Sequence, residues 1–280
     1  MPLSADEQLT RARREFKYLV PAGGARDLVA HIAAELADHH HAEKGSTALP
    51  NARHHTTTVY FDTPSRTLYR AAKAGGAHRK LRAREYYDIH PELVELATDP
   101  MDMVRYHPIL WLELKLRDGD HSEKTRVGIP KHELHNFFTT GEASAEMLKL
   151  QRANASGAVA IEKLRRFATS LDEPLDASCV INYRRRAFQD PEGGLRVTLD
   201  YELSAFAPTA ELFEAPMVRQ RLGRSVHDEP HCIVEVKTHQ AMPAWLQAAL
   251  LQQGAKQAPF SKFIMGSGAV TADNQGSAKE

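Results

Sequence analysis

The chain has 280 residues, of which 42% are hydrophobic and 26% are charged, which suffices for a sizeable core in one large domain or two small ones. Lysine plus arginine and aspartate plus glutamate number 36 each, so the formal net charge is zero and nothing in the overall charge points to nucleic acid. No run approaches the roughly 18 apolar residues of a membrane span, and the start lacks the apolar centre of a secretory signal. We therefore expect a cytoplasmic protein without direct membrane insertion, whose electrostatic function is local.

In chain order, the hydrophobic pattern predicts about eight strands separated by turns and helices. The predicted strands are 13–20, 56–61, 79–87, 109–117, 123–129, 178–189, 195–201 and 231–238. Helical patterns occupy 25–40, 131–138, 144–171 in one or two pieces, and 243–253. Turn signals at 118–121 and 190–194 join neighbouring strands as hairpins. The sequence thus predicts an α+β fold with a mainly antiparallel sheet.

The segments outside these patterns give further expectations. Residues 1–10 are expected to be flexible, 89–108 to form a surface loop, and 266–280, which are polar and rich in small residues, to be disordered. The folded domain would then span 11–265. Cys179 and Cys232 lie in strand patterns and are expected to be buried free thiols.

Charged residues alternate with apolar residues along most of the predicted strands. In HRKLRAREYYD (78–88), Lys80, Arg82 and Arg84 fall on one face of a strand and Leu81 and Ala83 on the other. The same alternation gives the following charged or polar sets: Arg13, Glu15 and Lys17; Glu113, Lys115 and Arg117; Lys124 and Arg126; Tyr183 and Arg185; Arg196, Thr198 and Asp200; Glu235 and Lys237.

Two interpretations of this alternation are open. A sheet with one solvated face would give a similar pattern. If the strands instead close into a barrel with the charged faces inward, many like charges are buried and need an anion to neutralise them. Phosphate chains suit arginine and lysine, and Glu113, Asp200 and Glu235 would either hold a divalent metal or serve as salt-bridge partners.

Nine short segments arranged in this order resemble the VTC domain, the polyphosphate-polymerase branch of the triphosphate tunnel metalloenzyme superfamily. They are REFKYLV, VYFDTP, KLRAREY, WLELK, EKTR, YRRRAF, RVTLD, VEVK and FSKF, and together they span about 13–263. The resemblance implies a closed antiparallel β-barrel with flanking helices, in which basic side chains line a tunnel. It also implies transfer of the γ-phosphoryl group of ATP to a phosphate or polyphosphate acceptor.

The resemblance also implies roles for particular residues. Arg82, Arg84 and Lys237 would stabilise the transferred phosphoryl group, and Glu235 would hold Mn²⁺ or Mg²⁺. Glu113 is a further candidate ligand on the charge alternation alone. The full set of residues expected to bind phosphate is Lys17, Lys80, Arg82, Arg84, Lys115, Lys124, Arg126, Arg185, Arg196, Lys237, Ser261 and Lys262. The expected partners are ATP and inorganic polyphosphate, and a separate membrane or regulatory partner is compatible with the resemblance.

Two positions depart from the patterns of the superfamily. Hydrolytic relatives carry Glu-x-Glu-x-Lys on the first strand, whereas this chain has Arg13-x-Glu15-x-Lys17, which favours the polymerase branch. A lysine expected just before FSKF is replaced by Pro259, and the nearest lysine is Lys256. The alternatives to a polymerase are a triphosphatase or polyphosphatase of the same fold and a polyphosphate-binding module without turnover.

Overall fold

The computed structural model describes residues 14–38, 53–89, 104–106, 109–119, 121–151 and 157–277. Within these residues the strands are β1 (Arg14–Pro21), β2 (Ala37–Asp38), β3 (Arg53–Asp62), β4 (His78–Ile89), β5 (Val104–Tyr106), β6 (Ile109–Asp118), β7 (His121–Pro130), β8 (Asp176–Gln189), β9 (Leu195–Phe206), β10 (Ser225–Asp228), β11 (His231–Thr238) and β12 (Lys256–Gln257). The helices are α1 (Ala22–Glu35), α2 (Thr67–Ala74), α3 (Leu134–Thr140), α4 (Ala145–Gln151), α5 (Gly157–Thr169), α6 (Ala244–Gln252) and α7 (Lys262–Ser277).

The strand pairing confirms the α+β class and the large antiparallel sheet. All eight predicted strands are present, and their hydrogen-bonded order is β12-β1-β11-β9-β8-β3-β4-β6-β7, with β2 beside β8, β5 beside β4 and β10 beside β9. For the strands that the structure describes this order is open, and closure into a barrel is not detected. The closed tunnel therefore stays a prediction.

Two compact units share this chain. Unit 1 falls within Met1–His55, Tyr183–Leu203 and Glu229–Phe260, and unit 2 within Thr56–Asn182, Ser204–Asp228 and Ser261–Glu280. The sequence patterns predict one folded domain over 11–265 and do not indicate this division. Residues 1–10, predicted to be flexible, lie outside the described part of the chain.

Unit 1 buries one face of β1, β11 and β9 against α1 and α6. The strict alternation of these strands sends their apolar residues to the helices and their charged residues to the opposite face. The buried cluster consists of Val20, Leu28, Ile32, Leu36, Phe188, Leu195, Val197, Leu199, Cys232, Val234, Val236, Leu246, Ala249 and Leu250. Because this core fixes which face is inward, it also fixes which residues form the charged face.

Unit 2 follows the same rule on β4, β6 and β7. Cross-strand rows place Leu81 opposite Leu114, and Leu112 opposite both Ala83 and Val127. These five side chains are all buried, and helices α4 and α5 contact β7. The even-numbered residues of β4 and β7 and the odd-numbered residues of β6 therefore share the other face.

A buried ion pair holds the segment that precedes the 3-10 turn at 219–221 in unit 2. Lys131 Nζ lies 2.6 Å from Glu85 Oε1 and donates to the Ala215 carbonyl at 2.8 Å, while the Met217 N–H donates to Glu85 Oε2 at 2.6 Å. Burial raises the pKa of Glu85, although Lys131 acts in the opposite direction. Because both charges have partners, this pair orders the segment without leaving an unpaired buried charge.

The C-terminal segment differs from the sequence prediction. Residues 266–277 belong to α7, where the sequence predicted a disordered tail. The helical pattern is weak, but Phe263 and Ser267 are buried, and Ser267 Oγ lies 2.9 Å from Ser178 Oγ. Tertiary contacts therefore stabilise a helix that local helix propensity does not predict.

Two other segments differ in smaller ways. The predicted loop 89–108 contains the short strand β5 beside β4, and its residues 90–103 and 107–108 lie outside the described residues. Helix α2 was not predicted; the Asp62 carboxylate accepts the N–H groups of Thr63, Leu68 and Tyr69 at 2.8 Å each and so satisfies the start of this helix. None of the helices in the described residues is long and apolar enough to cross a membrane.

Glycine at position 266 is required by the close approach of α7 to β8. A Cβ atom at Gly266 would lie 2.4 Å from Ile181 Cδ1 and 3.0 Å from Cys179 Sγ, whereas one at Gly268 would meet only the Tyr69 hydroxyl at 3.5 Å. We predict that Gly266→Ala lowers the free energy of unfolding by about 1–3 kcal/mol through overpacking. Gly268→Ala in the same helix should be neutral or raise it by up to about 1 kcal/mol.

Urea denaturation of the two variants beside the unmodified protein measures this difference. Equal stabilities for the two alanine variants would mean that α7 is not packed on β8 as described.

Candidate polyanion-binding site

The first group of candidate residues lies on one face of β4, β6 and β7 in unit 2. Antiparallel register aligns Arg82 with Glu113 and Arg126 in one cross-strand row, and Lys80 with Lys115 and Lys124 in the next. Adjacent strands lie about 4.8 Å apart and successive rows about 6.7 Å apart along the strands. This surface, called here the cationic face, comprises Lys80, Arg82, Arg84, Lys115, Lys124 and Arg126 around the single carboxylate Glu113.

The Glu113 carboxylate is fully buried and is the centre of the cationic face. Arg82 donates to Oε2 through Nε and Nη2, both at 2.7 Å, and Arg84 Nη1 lies 3.7 Å from the same oxygen. On the other oxygen, Oε1, Lys124 Nζ lies at 2.6 Å and Arg126 Nε at 3.4 Å. Burial alone would raise the pKa of Glu113, but the four cations hold it well below its usual range. Glu113 is therefore ionised, and it neutralises only part of the surrounding positive charge.

The lysine row has no carboxylate in its own register. Lys80 Nζ donates to Ser261 Oγ at 3.2 Å, which links the predicted residue Ser261 to this row. Burial lowers the pKa of Lys124 to about 8, even though Glu113 beside it acts in the opposite direction. Arg126 and Arg84 lower that pKa further by repulsion. Like charges are thus close enough to repel one another, as expected of an anion-binding site.

Aromatic side chains lie at one end of the cationic face. Trp111 is opposite Arg84 in the register, and the Arg126 guanidinium carbon lies 4.0 Å from the centroid of the Trp111 ring. Arg126 Nη2 also lies 3.5 Å from the Tyr86 hydroxyl. The cation–π contact with Trp111 orients Arg126 over the face.

The second group lies on the charged face of β1 and β11 in unit 1. Register pairs Glu15 with Lys237 and Lys17 with Glu235. Lys237 Nζ lies 2.8 Å from Glu235 and 3.7 Å from Glu15, while Lys17 Nζ lies 3.3 Å from Glu15 and 4.0 Å from Glu235. These four residues, called here the Glu235 group, alternate two acids with two lysines. Lys17 Nζ also donates to the Phe260 carbonyl at 3.0 Å.

Strands β8 and β9 add an arginine and an acid to the same unit. Arg185 donates from Nε and Nη2 to the two oxygens of Asp200 at 2.6 and 2.7 Å, a bidentate ion pair. Burial alone would lower the pKa of Arg185, but Asp200 and Glu235 keep it well above its ordinary value. The pairing of β9 with β11 places Arg196 opposite Lys237 and Thr198 opposite Glu235.

The two predicted metal ligands have different surroundings. Glu113 is enclosed by four cations, so the structure favours the salt-bridge interpretation and argues against a metal at this residue. Glu235 shares its two lysines with Glu15, and both side chains keep partial exposure of 23% and 29%. Carboxylate oxygens from two adjacent strands suit Mg²⁺ or Mn²⁺, which bind one or two carboxylates together with phosphate oxygens and water. The residues present at Glu235 thus fit a divalent metal.

Burial alone would raise the pKa of Glu235, but Lys237, Arg185 and Lys17 hold it well below its usual range, so the carboxylate is ionised. Sequence reasoning did not name Glu15 as a ligand, although its alternation with Lys17 was visible.

The described contacts thus assemble most of the predicted residues into two groups, each within one unit. Lys80, Arg82, Arg84, Lys115, Lys124, Arg126 and Ser261 belong to unit 2, and Lys17, Arg185, Arg196, Lys237 and Glu235 to unit 1. Lys262 is the first residue of α7 and lies next to Ser261. Arg13, whose identity distinguishes the chain from the hydrolytic pattern, lies outside the described residues.

Comparison with known proteins gives one family and several solved structures. Two chains of similar structure are a candidate adenylyl cyclase from Hippeastrum with a dominant triphosphatase activity, at 15% identity and a TM-score of 0.45, and a candidate adenylate cyclase from Bacillus halodurans, at 13% and 0.45. The alignments cover 89% and 91% of this chain, and 92% and 97% of the Hippeastrum and Bacillus chains. A search of curated proteins finds no match.

The family assignment rests on a different comparison. The VTC domain matches residues 12–271, which include all nine motif segments. The chain therefore belongs to the VTC domain family.

Proposed function

We propose that the protein is a metal-dependent polyphosphate polymerase that transfers the γ-phosphoryl group of ATP to a phosphate or polyphosphate acceptor. The observation that carries this proposal is the cationic face, where six cations lie around one carboxylate in three adjacent cross-strand rows. A chain of phosphates presents negative charge at regular intervals, which matches rows of cations better than a single compact anion does. Membership of the VTC domain family supports the same substrate class.

Phosphoryl transfer needs little covalent help from the protein. An oxygen of the acceptor phosphate attacks the γ-phosphorus, the bond from that phosphorus to the bridging oxygen breaks, and ADP leaves with the electron pair. Arg82 and Arg84, two residues apart on β4, would bind oxygens of the transferred group. Their fixed charges would offset the charge that spreads over these oxygens in the transition state. In unit 1, Lys237 would bind phosphate oxygens.

The proposed metal site uses the acids of the Glu235 group. Glu235 and Glu15 would hold Mn²⁺ or Mg²⁺, and the metal, when bound, would supply positive charge to phosphate oxygens. Lys17 and Lys237 each contact both carboxylates and orient them. Because the two lysines balance the two acids, an added divalent ion gives this group the net positive charge that an anionic substrate needs.

The first prediction concerns the reaction itself. Purified protein with ATP and Mn²⁺ should form ADP together with internal polyphosphate resonances in the ³¹P spectrum. Arg82→Gln should lower the rate by about 100-fold, the effect of removing one transition-state donor. Arg79→Gln on the opposite face of β4, where the guanidinium contacts the Phe167 ring, should keep the rate.

Orthophosphate as the sole product would replace the polymerase with a triphosphatase. Tripolyphosphate binding without any turnover would leave a binding module.

The second prediction concerns the metal. Glu235→Gln should weaken Mn²⁺ binding by about tenfold or more, because a carboxylate ligand becomes a neutral amide. Electron paramagnetic resonance with tripolyphosphate present measures the Mn²⁺ affinity. Glu192→Gln, an exposed acid of the turn between β8 and β9, is the matched control and should bind Mn²⁺ normally. Unchanged Mn²⁺ affinity in Glu235→Gln would remove Glu235 from the metal site.

The third prediction concerns pH. Because the pKa of Lys124 is lowered to about 8 and a bound polyanion would raise it, affinity is full below pH 8 and falls as rising pH deprotonates the free protein. The affinity for tripolyphosphate should therefore fall from pH 7 to pH 9, by up to about tenfold. Lys124→Arg should abolish the fall, since arginine stays charged.

Lys163→Arg, an exposed exchange of the same kind, should retain the fall. Titration calorimetry at several pH values measures both variants, and an equal fall in Lys124→Arg would assign the dependence to another group.

A further inference from the structure

The Glu113 carboxylate already occupies the position of an anion on the cationic face. Two bonds from the Arg82 fork meet one oxygen and Lys124 meets the other, with Arg84 and Arg126 within 3.7 Å. Arginine binds carboxylates and phosphates through the same fork geometry. Every cation that contacts Glu113 is also one that the proposed function assigns to phosphate.

Glu113 reduces the repulsion among the cations of the cationic face when no substrate is bound. Arg84 and Arg82 have side chains only 10% and 17% exposed, and without a counter-ion their charges would repel one another in a poorly solvated place. The register fixes Glu113 between Arg82 on β4 and Arg126 on β7. A carboxylate at this crossing is therefore within reach of cations from both neighbouring strands.

The same carboxylate opposes the binding of a substrate. A phosphate oxygen that approaches Arg82 or Lys124 must share these donors with Glu113 and is repelled by its charge. Glu113 is covalently fixed, so it competes at all substrate concentrations and cannot diffuse away. With Glu113 present, the cationic face must therefore have a lower affinity for the phosphate chain than its six cations alone would have.

We propose that Glu113 is a built-in competing anion, which orders the cationic face while it is empty and limits its affinity for a phosphate chain. The inference rests on the proposed function only in that the face binds polyphosphate. A limited affinity allows a growing chain to move past these cations and be released, which a face with unopposed cations would prevent. Glu113 is thus a residue that sets affinity, and neither a metal ligand nor a catalytic residue.

The test compares Glu113→Gln with Glu123→Gln. Both remove one negative charge, but Glu123 lies on the other face of β7, where it contacts Lys163. Thermal unfolding and titration calorimetry are run with tripolyphosphate alone, without nucleotide or metal. Glu113→Gln should have a lower Tm than the unmodified protein in the absence of tripolyphosphate, a larger rise in Tm on its addition, and a Kd about tenfold lower. Glu123→Gln should match the unmodified protein in Tm rise and Kd.

Two results would overturn the inference in different ways. If the unmodified protein binds tripolyphosphate and the folded Glu113→Gln variant binds it equally or more weakly, Glu113 does not compete, and the proposed function is untouched. If neither protein binds tripolyphosphate, the proposed function fails and the inference fails with it.

A charge-balanced pair of variants covers the case in which Glu113→Gln does not fold with or without tripolyphosphate. The double variant Glu113→Gln/Arg126→Gln removes one charge of each sign, and Arg126→Gln alone is its reference. The double variant should bind tripolyphosphate about tenfold more tightly than Arg126→Gln. Equal or weaker binding by the double variant would overturn the inference.

Discussion

The structure depends on the alignment of like charges across antiparallel strands and on the acids that offset the repulsion between these charges. Register leaves no freedom here: once Leu112 and Ala83 face the core, Arg82, Glu113 and Arg126 must share a row on the other side. A shift of one residue in the pairing of β6 would bury Glu113 and Lys115 among leucines instead. The hydrophobic core therefore determines the electrostatics, because it decides which charges become neighbours.

The two units solve the same electrostatic problem in different ways. In unit 2 one buried acid serves four cations, so positive charge remains in excess. In unit 1 the Glu235 group alternates acids and lysines, and Arg185 forms a bidentate ion pair with Asp200. An excess of cations suits direct contact with an anion, whereas a balanced group with partly exposed carboxylates suits a metal that contacts the anion. The two faces, which look alike in sequence, thus differ in their balance of charge.

The strands and their charged faces could be predicted from the sequence because period-two alternation is local and survives without tertiary information. The assignment of Lys80, Arg82 and Arg84 to one face follows from that alternation alone. What it cannot give is the partner of each charge, because Glu113 finds Arg82 and Lys124 only through the pairing of β4, β6 and β7. The helix α7 was missed for a similar reason: its glycines suggest flexibility, while their use is the close packing of Gly266 on Ile181. The division into two units also escaped prediction, because β8 and β9 each run through both.

The packing of α7 also governs the redox chemistry of Cys179. Cys179 is fully buried, its thiol accepts a hydrogen bond from Ser267 at 3.4 Å, and burial raises its pKa to about 12. Such a thiol is inert toward oxidants because it neither ionises nor meets solvent. A protein shortened to the expected domain boundary at 265 would lose both Gly266 and Ser267 and would present this sulfur to peroxide. The oxidation state of a single cysteine would then report whether the C-terminal helix is in place.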